Sequence, residues 1–118
     1  MDLKFEDPLP ITKLEVEESL ASAESDVPAR ALIRMALWEN DWVWAERMAL
    51  RALEDPRKQV RIAALVAISH LVRLHHKLHL ELVLAAITRL LHDPDCGGSA
   101  QDTLDDIALF MTKRGPSV

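Results

Sequence analysis

A phrase of four residues occurs twice in this chain, as Leu53-Glu54-Asp55-Pro56 and Leu91-His92-Asp93-Pro94, each time at the end of a helix-like run. The copies are 38 residues apart. That spacing is close to the ~40–47 residues of helix-pair repeats, in which no single unit buries its own apolar face and stacking supplies the core. The Asp-Pro dipeptide also acts locally. Asp can cap the following helix while Pro, which lacks an N–H, fixes the backbone at its first position, so the pair stops one helix and aims the next. A chain punctuated in this way is constrained to a stack of helices.

Composition points the same way. The 118 residues read as one domain, 1–118, with 49% hydrophobic and 28% charged residues, enough to form a core. Aromatic content is only 4%, with no Tyr and three Gly, so Ala and Leu stand where a β protein would use β-branched and aromatic side chains. The single Cys96 excludes an internal disulfide. No basic-then-apolar leader and no apolar run near the ~20 residues of a membrane span are present, which makes a cytoplasmic protein without a membrane partner the expectation.

The periodicity predicts six helices in three antiparallel pairs. Residues 1–11, with Pro8 and Pro10, read as an extended tail. Thr12 and Glu15 have the spacing of a capping box opening a first helix to about Glu24. Asp26, with Pro28 in the first turn, is expected to cap a second helix to about Trp38, and Asp41 a third to about Glu54. A fourth spans Pro56 to about Leu74, followed by a polar turn over His75 to Leu78, and a fifth spans about His79 to His92. Ser99 is expected to cap a sixth that ends near Thr112, with Gly115-Pro116 closing it and 113–118 as a tail.

The segment Asp55-Pro56-Arg57-Lys58-Gln59-Val60-Arg61-Ile62-Ala63-Ala64-Leu65-Val66-Ala67-Ile68 resembles the HEAT-repeat pattern of Asp-Pro, then Val-Arg, then small residues. The match is good there and degraded in the flanking units, as terminal repeats of a stack are. The resemblance implies an all-α fold, a short right-handed α-solenoid of about six helices. It further implies that Asp55, Arg61 and Asp93 form a ladder holding the turns, and that the second helix of each pair lines a concave surface where ligands sit. Ile62, Val66, Ser69 and Arg73 then lie at the middle of the groove.

Placing residues at about 100° per step sorts each helix into a core and an open face. On the third, Ala45, Met48, Ala49, Ala52 and Leu53 share one side with Trp42, and Arg47, Arg51 and Glu54 the other. Trp44 falls at the boundary, beside Arg51, either packed under a neighbouring loop or serving as a partly exposed interface anchor. Trp38 is assigned to the core. On the fourth, Ile62 and Val66 interrupt the polar side, from all-round burial or as an apolar strip edged by Arg73. On the sixth, Leu104, Ile107, Ala108 and Met111 form the expected core face. Opposite them Asp102, Asp105 and Asp106 surround Leu109, either as a solvated face or as an acidic patch suited to Lys and Arg of a partner. The partner-binding candidates are therefore Trp44, Ile62, Val66, Arg73, Asp102, Asp105, Asp106 and Leu109.

Little in the sequence suggests chemistry. His75 and His79 would share a helix face at i, i+4 as metal ligands, but Lys77 opposes a cation and no further ligand is near. Gly97-Gly98 lacks the strand and the Lys-Ser/Thr sequel of a phosphate loop, and Asp93 and Asp95 oppose a thiolate at Cys96. No catalytic residue, metal or cofactor is assigned. Net charge is −5, distributed as eight acids to two bases over residues 1–26, six to ten over 27–92, and five to two over 93–118. The expectation is a non-enzymatic protein-binding module. A short, acidic, stand-alone solenoid without catalytic residues resembles a bacterial immunity protein, which covers the active site of a toxin domain. The resemblance implies a basic partner, because many such toxins are nucleases that must bind phosphate. An adaptor recognising a cellular peptide or helix is the alternative. A nucleic-acid binder using Arg30, Arg34, Arg57, Lys58 and Arg73 is a weaker one, given the net charge.

Overall fold

The computed structural model describes residues 8–112, and among them all regular structure is helical: α1 (Lys13–Leu20), α2 (Asp26–Trp38), α3 (Trp42–Ala52), α4 (Lys58–His75), α5 (Leu80–Thr88) and α6 (Gly97–Thr112). The expected tails at 1–7 and 113–118, and the Gly115-Pro116 stop, lie outside the described residues. Each helix packs on its chain neighbour within the sequences α1 to α2, α3 to α4 and α5 to α6, while α4 lies between α2 and α6. The middle of α4 carries Ala63, Ala64 and Ala67, all buried, and these small side chains let three helices approach one axis closely. Leu32, Met35, Leu65, Ile68, Leu71, Val72, Val83 and Ile87 fill the continuous core around them.

Capping explains most boundaries. The Thr12 hydroxyl accepts from the Glu15 N–H at 3.1 Å while the Glu15 carboxylate accepts from the Thr12 N–H at 2.9 Å, the expected capping box. The Asp41 carboxylate accepts from the Trp44 N–H at 3.1 Å. Other boundaries differ from expectation. Asp26 is the first residue of α2, not its cap; its carboxylate pairs with Arg30 one turn on, at 2.9 Å. Ser99 lies inside α6, because the Asp93 carboxylate already accepts from the N–H groups of Asp95 and Cys96, at 2.7 and 3.0 Å, and starts the helix at Gly97. α1, α3 and α5 stop short of their expected ends, α5 by four residues, where tight turns over 89–92 replace the last helical turn. α4 ends on His76 in the left-handed region, φ 55°.

Arginines join the inter-helix turns. Arg57 grips the Asp55 carboxylate with two bonds of 2.9 and 3.0 Å and donates to the Ser22 carbonyl at 2.7 Å. Arg61 donates to the carbonyls of Asp55 and Pro56, at 3.0 and 2.9 Å, and lies 3.4 Å from the Asp93 carboxylate. The expected contact between Arg61 and Asp93 is present. The carboxylate of Asp55, by contrast, belongs to Arg57, because the reach of the shorter i, i+2 loop lets Arg57 fork over it while Arg61 takes the backbone. The pairing with Asp55 raises the Arg57 guanidinium pKa and, with Arg57 as its first cause, holds the Asp55 carboxyl below the usual range; the Asp93 carboxyl is held low first by the N–H of Asp95.

Candidate partner-binding face

On α4 the stripe left uncovered by its neighbours is Gln59, Ile62, Val66, Ser69, His70 and Arg73, each successive step three or four residues on save one. Val66 is 39% exposed, a large apolar side chain offered to solvent in the middle of the helix that packs on α2, α3 and α6. A groove flanks the stripe on each side, because α2 and α6 touch α4 deep in the core but diverge at the surface.

The groove between α2 and α4, about 510 Å³, has an apolar floor of Ala29, Ile33, Ile62 and Ala63. Its charges are already engaged. Arg30 pairs with Asp26, and Arg34 donates to the carbonyls of Leu9 and Pro10 at 2.8 and 2.7 Å. Those bonds, together with one of 2.7 Å from the Trp38 indole N–H to the Pro8 carbonyl, strap residues 8–11 across α2. Trp38 is therefore 49% exposed and not a core residue as expected: its polar edge is held at the surface by this bond.

The groove between α4 and α6, about 430 Å³, gathers five of the eight sequence candidates: Val66 and Arg73 from α4, with Asp102, Asp106 and Leu109 from α6. Ser69, His70, Ser99, Thr103 and Phe110 complete it. Thr103 fixes its floor. The buried Thr103 hydroxyl donates to the Leu65 carbonyl at 3.0 Å and accepts from the Ser69 hydroxyl at 3.2 Å, tying the two helices side to side. Arg73 contacts the imidazole of His70, whose pKa is lowered first by burial and then by that guanidinium, with Asp106 pulling the other way. Among the described residues neither Asp102 nor Asp106 is ion-paired.

The remaining candidates fall elsewhere. Ile62 lies in the first groove. Asp105 is exposed outside both and accepts from Gln101 at 3.0 Å, because on α6 it is rotated past the wall that Asp102 and Asp106 share. Trp44 is corrected: it is 8% exposed, beneath Lys13, whose ammonium lies 5.4 Å from the ring centroid and bridges to Asp41 at 2.8 Å. It joins α1 to α3 and offers no surface anchor. Ala108 is likewise exposed rather than core; Thr103 takes the place expected for it, in a stripe with Ala100 and Ile107. The i, i+4 step from Thr103 to Ile107 carried that signal, masked by the polarity of Thr.

Sequence reasoning also missed Glu46, a carboxylate only 2% exposed on a helix face counted as core. It accepts from the backbone N–H of His79 at 2.8 Å and lies 2.5 Å from His79 Nδ1, so it holds the turn before α5 against α3. The ring of Trp42 lies against the same imidazole, centroids 5.3 Å apart. Among the described residues no group of three or more His, Cys, Asp or Glu could hold a metal ion, and no helix is long and apolar enough to cross a membrane.

No protein-family model matches this chain, and no curated protein matches it. Among solved structures, a chain in the crystal structure of the CDI complex from Cupriavidus taiwanensis LMG 19424 shares the fold, with a TM-score of 0.80 and 27% identity. The match covers 92% of this chain and 98% of that one, so the likeness extends over all six helices' worth of structure and not over one helix pair.

Proposed function

We propose that this chain is a bacterial immunity protein, a non-enzymatic binder that neutralises a toxin domain in the cytoplasm by covering it. The observation that carries the reading is the full-length likeness to a chain of a CDI complex, CDI being contact-dependent inhibition, in which a toxin is held by its immunity protein. The immunity side of such a complex is favoured by the acidity of the chain, −5.

The packing of α2, α4 and α6 in series, each with its preceding helix behind it, supports a short right-handed HEAT-like solenoid of three antiparallel pairs. In that architecture the layer of α2, α4 and α6 is the binding surface. Ile62, Val66, Arg73, Asp102, Asp106 and Leu109 line its two grooves, and Asp105 lies outside both. A basic toxin domain fits the net charge, which would steer association and suppress non-specific attachment to nucleic acid.

The reading frame upstream of this gene is expected to end in a toxin domain, and the test uses that C-terminal domain. Co-expression of the full chain should restore growth to cells making that domain, and the two should co-elute as a complex of defined stoichiometry. No rescue together with no complex would overturn the proposal.

A further inference from the structure

The two grooves flanking α4 are opposite in one respect that decides what each can take. At the α2–α4 groove every cation is already satisfied within the chain, Arg30 by Asp26 and Arg34 by two carbonyls, so an incoming charge gains nothing there while an apolar group covers Ile33 and Ile62. At the α4–α6 groove the half-buried Asp106 and the exposed Asp102, one helical turn apart, face a space walled by Val66, Leu109 and Phe110 and, among the described residues, have no salt-bridge partner. Arg73, the cation of that groove, rests on His70 instead.

We propose, on the reading that the partner is a toxin domain, that the two grooves fix a single docking orientation: a basic side chain of the toxin enters the α4–α6 groove between Asp102 and Asp106, and an apolar side chain enters the α2–α4 groove against Ile62. Ile62 and Val66 are one turn apart on α4, about 6 Å, so the two seats form one track that neighbouring residues of a partner segment span. An arginine suits the first seat. Its stem covers Val66 and Leu109, while its planar head bonds a carboxylate with two parallel hydrogen bonds. Because His70 is held toward its neutral form, it contributes no fixed charge of its own to compete for the acids. The floor does not adapt, since Thr103 is bonded to both Leu65 and Ser69.

Three variants separate the seats. Asp102→Asn/Asp106→Asn should weaken the toxin domain roughly 10–100-fold in calorimetry and flatten the salt dependence of binding. Ile62→Ala should weaken it about 10-fold with the salt dependence unchanged. Asp105→Asn, outside the groove, should change affinity less than about 2-fold. Circular dichroism and thermal melts confirm that each variant is folded. Independently of the toxin, titrating the isotopically labelled chain with N-acetyl-argininamide should shift the amide resonances of residues 66, 69, 102, 103 and 106, and N-acetyl-glutamine amide should not. A toxin that binds all variants alike overturns the two-seat docking while leaving the immunity reading intact. If the toxin does not bind at all, the immunity reading fails, and absence of selective shifts with argininamide then overturns the cation seat on its own.

Discussion

At the scale of single residues, Glu46 shows how much one buried acid holds. Its carboxylate accepts from the His79 N–H at the start of α5. Glu46→Ala leaves that donor and the imidazole without their acceptor, a loss of about 2–3 kcal/mol, seen as a melting temperature about 10 °C lower. Glu46→Gln keeps an acceptor oxygen and should lose roughly half as much. An Ala variant that melts with the wild type would remove Glu46 from the set of structural residues. Nothing in the sequence marked it: a Glu at a core position of α3 reads as a solvated charge unless its partner, 33 residues on, is known. The same distance dependence explains the misplacing of Trp44 and Trp38. Their assignments turned on Lys13 and Pro8, groups remote in sequence, while the caps at Thr12 and Asp41, which need partners only three residues away, were legible at once.

At the scale of elements, the start of α6 offers a comparison within one dipeptide. A Cβ built on Gly97 would stand 2.6 Å from the carbonyl oxygen of Leu91, which is backbone and cannot swing away, whereas one on Gly98 meets nothing within 4 Å. Gly97→Ala should therefore destabilise the protein by about 1–3 kcal/mol. Gly98→Ala should stabilise it by about 0.5 kcal/mol, because Ala orders the first turn at lower entropic cost and loses fewer unfolded states. Urea titrations of the two variants give the check, and shifts of the same sign would refute the close approach of α6 to the Leu91 turn. Helix number, order and approximate placement followed from periodicity and caps. The sixth helix was read one step off in register, Ala108 for Thr103, because apolar patterning passes over a Thr whose hydroxyl is satisfied inside the core. The α4–α6 groove was legible in part. Helical spacing brings Asp102 and Asp106 to one wall and Val66 and Arg73 to the other, but which walls face each other depends on how α4 and α6 pack, and no local pattern encodes that.

At the scale of the whole molecule, stability depends on pH through two sets of groups that act in different ranges. Arg57 and Arg61 run from the Ser22 carbonyl through Asp55 to Asp93, so one chain of contacts ties the α1–α2, α3–α4 and α5–α6 turns. Both carboxyls have folded pKa values below their ordinary ~3.9, Asp55 through Arg57 first and Asp93 through backbone N–H groups first. The unfolded chain therefore takes up their protons before the folded one does, and their contribution, complete above the ordinary value, is lost as pH falls through the folded values. Asp93→Asn should remove part of that acid limb and leave the neutral range untouched. His70 and His75 act higher. Each has a folded pKa below the ordinary ~6.5, because burial disfavours the imidazolium and Arg73 or Lys77 repels it. Here too the unfolded state binds the proton first, so stability starts to fall as pH drops below about 6.5 and goes on falling until the folded histidines protonate. Urea midpoints of the wild type should decline from pH 8 to pH 5.5, and His70→Gln/His75→Gln should flatten that decline while keeping the steeper loss below about pH 4. An equal decline in the double variant would mean that another group titrates in this window.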